Sequence, residues 1–407
     1  MMERHISGEA QDSPSILWFS IFDWWTHSHG YSDFQLAMTV ARQRKVLLVN
    51  SIGMRAPTLG RTTRVGRRIV RKIGSAFRGL RRPVAGLPNF AVFSPFSLPI
   101  YGGALARWNA ALAADQVRRA ARRCNLEDPV GVVSVPTAYQ IALKLGLQTV
   151  IYKRSDDHAA FSEAGAAVAE AQARMLKECR LVVYASRDLM ARERELVGDR
   201  AFYLEHGVDL EQFRPDVAPD AEISSLPRPR IGFCGSLRAH ALDIELLERL
   251  GDRLGDAQLI LVGDRSDAIN GLLKHRNVRW FAPRPHQAMP SCWSALDVAL
   301  MPYRAEQWGQ GVEPIKLREM LAMGLPVVST RIPAAMAQCD LVTVADDTED
   351  FISRVLCEAE QVRNRTVRVS RIAGPSWSAQ AQQLVACADS FAKSKTNEFD
   401  LPSRTRE

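Results

Sequence analysis

Lys316 and Glu319 are the two residues whose types and spacing most clearly indicate a ligand site. The segment around them begins with Pro314, which suits the first position of a helix, and Gly324 is typical of a residue that ends one. Residues three apart share a helix face, and the amino terminus of a helix attracts phosphate. A lysine there can hold a diphosphate, and a carboxylate can accept two hydroxyl groups of a ribose. The alternative is an ordinary surface ion pair between the two side chains.

Residues 314–330 read Pro-Ile-Lys-Leu-Arg-Glu-Met-Leu-Ala-Met-Gly-Leu-Pro-Val-Val-Ser-Thr, and this segment resembles the nucleotide-sugar signature of GT-B glycosyltransferases. It is most similar to the signature of the group 1 bacterial enzymes, which build cell-surface polysaccharides. The resemblance implies that Lys316 faces the donor diphosphate and that Glu319 binds the donor ribose. The predicted nucleotide-sugar site also includes Tyr303, Gln310, Pro314 and Ile315.

The segment departs from the family pattern in one respect. Many relatives carry two glutamates eight positions apart, and the first of them helps to hold the donor sugar. Gly311 stands eight positions before Glu319, so that glutamate is missing here, and Glu313 or Gln310 is its candidate replacement. The sequence therefore leaves open whether transfer retains or inverts the configuration of the sugar.

A second glycine-bearing turn belongs to the same predicted site. Residues 230–237, Arg-Ile-Gly-Phe-Cys-Gly-Ser-Leu, form a predicted strand and a turn before a helix. In the family this turn lies beneath the donor. The resemblance makes Gly235 and Arg238 candidates for contact with the diphosphate, although Gly235 equally suits any tight turn.

Two adjacent aspartates, Asp156 and Asp157, follow a strand predicted over residues 148–153. Ligands of open α/β sheets bind outside the carboxyl ends of the strands, so both aspartates lie where a substrate is expected. Together with Tyr152 they resemble the Tyr-x-x-x-Asp-Asp element of the family's acceptor domain. We expect one of them, Asp156 in preference, to take the proton of the acceptor hydroxyl. The alternative for each is an N-cap of the following helix.

Apolar runs at residues 16–22 and 46–50 predict the first strands of a parallel, doubly wound sheet. A polar loop follows the first run, and residues 206–209, His-Gly-Val-Asp, resemble the family's Asn-Gly-Val-Asp turn. The candidate acceptor or cleft residues in the loop and the turn are His27, His29, Gly30 and His206, and Gly30 is expected to let the backbone approach the donor phosphates across a cleft. The alternatives are ordinary surface histidines and a turn glycine in the loop, and for His206 a structural role is favoured.

Residues 61–82 contain nine basic residues and no acidic one. Apolar residues recur among them at steps of three and four, which predicts a basic amphipathic helix. Such a helix is typical of an anchor at a membrane surface, while nucleic-acid binding and packing on its own domain are the alternatives. The predicted membrane contacts are Arg67, Arg68, Arg71, Lys72 and Phe77.

The composition predicts a soluble globular protein with a sizeable core, since 46% of the 407 residues are hydrophobic and 24% are charged. The seven cysteines are scattered singly, which predicts reduced thiols and neither disulfides nor a metal site. No Gly-x-Gly-x-x-Gly motif occurs, so no dinucleotide cofactor is predicted. Without a signal peptide or an apolar run of about 18 residues, the expected location is the cytoplasm, at the inner face of the cell membrane.

These patterns and the resemblance predict an α/β protein of the GT-B class, in which two Rossmann-like, doubly wound domains face each other across a cleft. The acceptor-binding domain is expected over residues 1–213, a linker over 214–229, and the nucleotide-sugar-binding domain over 230–376. A last helix, 377–393, is expected to cross back to the first domain. Residues 394–407 are expected to form a disordered tail.

The predicted activity is transfer of a hexose from a nucleotide diphosphate sugar to a lipid-linked saccharide acceptor, in the synthesis of cell-surface polysaccharide or exopolysaccharide. The donor is a substrate, and no cofactor is predicted. The expected partners are this donor, the acceptor and the anionic inner leaflet, and nucleic acid is the less favoured partner. The alternatives are a GT-B-like epimerase or hydrolase of a nucleotide sugar, and a non-catalytic basic protein that binds a membrane or nucleic acid.

Overall fold

The computed structural model describes residues 14–53, 74–98, 100, 102–160, 165–239, 242–304, 313–362 and 375–393. They form two compact units, of which the first comprises the described residues up to His206 together with the helix Trp377–Lys393. The second unit comprises those from Gly207 to Ser376. The linker predicted over 214–229 differs from the structure, because it belongs to the second unit and Ile223 is fully buried there. Burial of this apolar side chain outweighs the loop-like composition around it.

The first unit is built on a sheet whose strands are β1 (Ile16–Phe19), β2 (Val46–Val49), β3 (Leu80–Arg81), β4 (Phe90–Phe93), β5 (Val130–Val133), β6 (Val150–Arg154), β7 (Leu181–Tyr184) and β8 (Ala201–Tyr203). Their spatial order is β3-β4-β2-β1-β5-β6-β7-β8. Neighbouring strands are parallel, except that β3 pairs with β4 in the antiparallel sense. The central strands are buried along their whole length, which explains their continuous apolar runs.

The helices of the first unit are α1 (Ser32–Val40), α2 (Gly103–Arg123), α3 (Tyr139–Leu145), α4 (Ala166–Glu178), α5 (Arg187–Val197) and the last helix of the chain, α12 (Trp377–Lys393). Those of the second unit are α6 (Ala221–Ser224), α7 (Ile244–Arg253), α8 (Met289–Ser294), α9 (Ile315–Ala322), α10 (Pro333–Met336) and α11 (Thr348–Val362). None of the described helices combines the length and the apolar character needed to cross a bilayer.

The second unit contains an all-parallel sheet of the strands β9 (Arg230–Cys234), β10 (Gln258–Val262), β11 (Val278–Phe281), β12 (Val298–Met301), β13 (Val327–Ser329) and β14 (Thr343–Val344). Their spatial order is β11-β10-β9-β12-β13-β14. Successive strands are therefore added on one side of β9 and then on its other side, beginning with β12. In the first sheet the same reversal occurs between β1 and β5. Such switch points leave a crevice at the carboxyl ends of the strands, where open α/β sheets bind ligands.

The helix predicted over residues 61–82 is wrong at its carboxyl end. Residues 74–77 are helical, but Gly79 has a φ of 59° and Leu80–Arg81 form β3 against β4. Glycine adopts a left-handed conformation at little steric cost and so ends the helix at this point. Leu80 fits the apolar spacing of the predicted helix, but it lies beyond the helix end. Residues 61–73, including Arg67, Arg68, Arg71 and Lys72, lie outside the described residues.

Candidate active site

Lys316 lies over the turn that follows β9, at the switch point of the second sheet. A Cβ atom added at Gly235 would come within 2.9 Å of Lys316 Nζ and Cε and within 2.8 Å of the Phe233 ring. A larger residue at position 235 would push the lysine aside, because the end of the Lys316 side chain passes directly above this turn. Burial lowers the pKa of Lys316, and the nearby charge of Glu319 partly opposes that effect. No hydrogen bond or ion pair joins Lys316 to another described residue, so its amine is available to an anion.

Glu319 is a buried carboxylate held by two side chains from a distant segment. Only 5% of the residue is exposed, His286 Nε2 lies 2.9 Å from its Oε1, and Trp293 Nε1 donates to its Oε2 at 3.4 Å. The surface ion pair with Lys316 is therefore not formed. A carboxylate has about four acceptor positions, so two remain for further donors such as hydroxyl groups. His286 and Trp293 carried no recognisable signal in the sequence.

The structure describes most of the other predicted donor residues. Pro314 is the N-cap of α9, so the helix begins one residue later than expected, and Gly324 has the left-handed φ of 70° typical of a residue after a helix. Arg238 is exposed, whereas the ring of Tyr303 is buried at 5.8 Å from that of Phe233. Ile315, Pro314 and Glu313 are half-buried, and Gln310 and Gly311 lie outside the described residues.

The switch point of the first sheet is organised by Asp33, which the sequence pattern did not single out. Asp33 is 1% exposed in the first turn of α1, and its carboxylate accepts hydrogen bonds from Ser20 after β1 and Ser134 after β5, both at 2.9 Å. Lys153 at the end of β6 forms an ion pair with it at 3.0 Å and donates to Ser155 at 2.7 Å. One carboxylate thus ties together the carboxyl ends of three strands and fixes the ammonium group of Lys153.

Asp156 is the member of the aspartate pair whose side chain is available for chemistry. It is half-buried, and no hydrogen bond or ion pair joins its carboxylate to another described residue. Burial raises the pKa of Asp156, while the positive charges of Lys153 and Arg154 oppose the shift. A carboxylate that has a raised pKa and no hydrogen-bond partner on its oxygens within the described residues is suited to accept a proton.

Asp157 is instead part of a buried cluster around Arg154, which is fully buried. Arg154 donates to Asp157 Oδ1 at 3.0 Å and to Glu193 Oε1 at 2.7 Å, and it also donates to the backbone oxygen of Asp156. Gln172 donates to Asp157 at 2.9 Å. Burial alone would raise the pKa of Asp157, but the bond from Gln172 and the charge of Arg154 lower it overall. Asp157 therefore fixes the chain that carries Asp156.

The histidines proposed for the acceptor differ in exposure. His29 stacks on Trp24 with ring centroids 4.1 Å apart, and its Nε2 lies 3.1 Å from the Trp24 carbonyl oxygen. His206 is 8% exposed, and its ring centroid lies 6.2 Å from that of Trp377. His27 is exposed, with its Nδ1 bonded to the backbone of Asp23, and Gly30 is half-buried in the same loop.

A cavity of ≈ 400 Å³ lies in the first unit between α2, α3 and α4. Its lining combines aliphatic and polar side chains, the latter including Arg107, Asn109, Thr137, Gln140 and Glu170. Its volume lies within the range of small-molecule sites. Within the described ranges, no group of three or more His, Cys, Asp or Glu side chains is arranged to hold a metal ion.

Two parallel, doubly wound sheets define the GT-B fold, and solved structures share it. Sucrose-phosphate synthase from Thermosynechococcus elongatus has a TM-score of 0.67 and 15% identity, covering 94% of this chain and 100% of that one. HepE from Anabaena, solved with UDP and glucose, has a TM-score of 0.60 and 13% identity, covering 93% of this chain and 96% of that one. The predicted fold class is thereby confirmed.

Two comparisons give a more particular resemblance. Residues 228–360 match the family model of group 1 glycosyl transferases. TuaH of Bacillus subtilis, which is assigned a glycosyltransferase role in teichuronic acid biosynthesis, is 32% identical over 144 residues. The match covers 33% of this chain and 36% of TuaH, about a third of that relative's length. The resemblance to group 1 glycosyltransferases is confirmed by these matches.

Proposed function

We propose that this protein is a glycosyltransferase that takes its sugar from a nucleotide diphosphate sugar. The observation that carries the proposal is the unpaired amine of Lys316 over Gly235, beside the buried and oriented carboxylate of Glu319. The amine of Lys316 can bind a diphosphate, and the carboxylate of Glu319 can accept hydrogen bonds from ribose hydroxyls. Both lie at the switch point of the second sheet. Asp156, unpaired at the edge of the other sheet, supplies a base for the acceptor hydroxyl.

The test begins with a thermal-shift screen of nucleotide sugars, with UDP-glucose first because HepE was solved with UDP and glucose. A ligand present at 100 times its dissociation constant adds about 2.7 kcal/mol to the free energy of unfolding. Products are then analysed with saccharide acceptors. A sugar added to the acceptor supports transfer, whereas free sugar or an epimerised donor would identify a hydrolase or an epimerase, and no turnover with any donor would contradict the proposal.

The transferred sugar is a hexose in this proposal, and the acceptor is a lipid-linked saccharide of cell-surface polysaccharide or exopolysaccharide synthesis. The role assigned to TuaH supports such a pathway. The basic segment 61–82 supports peripheral association with the inner face of the membrane, because arginine and lysine clusters bind anionic headgroups. Phe77, at the described end of this segment, is 85% exposed.

Replacing Arg67, Arg68, Arg71 and Lys72 by glutamine is expected to abolish co-sedimentation with anionic liposomes. Each basic residue near an anionic surface contributes about 1 kcal/mol, and salt screens this attraction. The wild-type protein should therefore bind at low salt and dissociate as salt rises. A wild-type protein that ignores anionic liposomes at low salt would contradict the anchor and make nucleic-acid binding the next measurement.

A further inference from the structure

Helix α2 carries an exposed apolar stripe on its amino-terminal half. Leu105 and Trp108 are 65% and 59% exposed, and Leu112, one turn further along, is half-buried. Their spacing of three and four residues places them on one face of the helix. The other face packs into the core of the first unit through residues such as Ala113 and Val117. The stripe is therefore not needed to hold α2 in place.

The loop after β4 widens this stripe. Gln116 accepts from the backbone N–H of Phe96 at 2.9 Å and donates to its carbonyl at 3.0 Å. Asn109 does the same for Leu98, at 2.9 and 2.8 Å. Asn109 and Gln116 are seven residues apart and hold the loop along the side of the helix. Phe96 and Leu98, themselves 49% and 38% exposed, thus join Leu105 and Trp108 in one apolar patch.

The same face becomes basic toward the carboxyl end of α2. Arg119, Arg122 and Arg123 are exposed there. The acidic residue on this part of the helix, Asp115, pairs with Arg119 and Arg118, so the region keeps a positive charge. At a rise of about 1.5 Å per residue, the arginines begin roughly 16 Å beyond Trp108. One surface can therefore contact the apolar patch and the arginines together.

We propose that α2 docks the first unit on an anionic lipid surface, with the apolar patch in the boundary between headgroups and acyl chains and the arginines on lipid phosphates. Exposed tryptophan and leucine side chains suit the boundary between headgroups and acyl chains, and arginines suit the anionic phosphates of the headgroups. A second protein copy fits less well, because stable interfaces bury about 1,200–2,000 Å² and the patch has four exposed side chains. The docking deepens the proposed function and rests on it, because the proposed acceptor is lipid-linked. The cavity beside α2 is lined by Ala104, Ala106 and Arg107, which belong to the same turns of the helix as Leu105 and Trp108.

The full-length double variant Leu105→Ser/Trp108→Ser is expected to bind vesicles of equal parts phosphatidylcholine and phosphatidylglycerol at least tenfold more weakly than wild type, because two apolar side chains no longer enter the lipid. The matched control is Leu143→Ser/Leu196→Ser, whose leucines are 43% and 45% exposed elsewhere in the same unit. The control should bind vesicles as wild type does. All three proteins should bind UDP equally, since Lys316 and Glu319 belong to the second unit.

Wild-type vesicle binding by the Leu105→Ser/Trp108→Ser variant would overturn the docking. Self-association of the wild-type protein in analytical ultracentrifugation would also overturn the docking if this variant alone abolished it, because the patch would then bind a second copy. Replacing Arg119, Arg122 and Arg123 by glutamine should weaken binding at low salt and leave little difference at high salt. A protein that transfers sugar but ignores vesicles would contradict the docking and the membrane anchor over residues 61–82, but not the proposed sugar transfer. A protein that docks through the patch but transfers no sugar would contradict the proposed transfer and leave the docking in place.

Discussion

Replacing Glu319 by alanine is expected to weaken the binding of UDP by roughly one to two powers of ten. A hydrogen bond that involves a charged group contributes about 1.5–3 kcal/mol, and this carboxylate is already oriented by His286 and Trp293 before any ligand arrives. Its loss removes the acceptor for the ribose hydroxyls, and it also removes the charge that opposes the lowering of the Lys316 pKa. Isothermal titration calorimetry with UDP measures the effect directly.

The control for this variant is Glu245→Ala, which removes an exposed glutamate from the first turn of α7 in the same unit. It should bind UDP as the wild-type protein does. Alanine at position 319 also leaves the donor groups of His286 and Trp293 without their partner, so the melting temperature must be measured beside the affinity. A folded Glu319→Ala protein with unchanged affinity for UDP would show that Glu319 does not hold the nucleotide.

The donor half of the site was largely predictable because its signals are local. The helix start at Pro314, the left-handed Gly324 and the buried strand after it follow from neighbouring residues in the chain. The side chains that orient Glu319 were not predictable in this way. His286 lies 33 positions earlier, and nothing in its own surroundings indicates that strand order will bring it to a glutamate on α9.

The same limit applies to the first unit. No sequence pattern singled out Asp33, yet it joins the ends of β1, β5 and β6 because those strands are neighbours at the switch point. Arg154 is fully buried among acidic and amide groups that lie far from it in the sequence, and its own surroundings in the chain do not indicate this. Local patterns predict the elements, whereas partnerships between side chains depend on which elements become neighbours.

The replacement Asp156→Asn is expected to lower the rate of sugar transfer at least a hundredfold and to leave UDP binding unchanged. Sugar hydroxyls are poor nucleophiles, and a positioned base typically contributes 10²–10⁴-fold to such a step. Asparagine keeps the size of the side chain but cannot accept the proton. A turnover assay with UDP-glucose, or with the donor found in the screen, combined with calorimetry separates the two properties.

The pH dependence of transfer gives Asp156 a second signature. Burial raises the pKa of its carboxyl group, although Lys153 and Arg154 oppose the shift. The carboxylate is the active form of a base, so turnover should decline as the pH falls through this raised pKa. The residual activity of Asp156→Asn should lack that decline. A wild-type profile that is flat on the acidic side would argue against a carboxylate base.

Asp157→Asn is the matched control, because the neighbouring aspartate makes its contacts within the protein. Loss of its charged bonds to Arg154 and Gln172 should lower the free energy of unfolding by about 1–3 kcal/mol. Its folded pKa is lowered, so the wild-type stabilisation is present above the unfolded pKa and disappears as the pH falls through the folded one. The Asp157→Asn variant should therefore melt earlier, and below its melting temperature it should lose far less of the transfer rate than Asp156→Asn does. If Asp156→Asn keeps a near wild-type rate, the base is another group, and the exposed His27 becomes the next one to replace.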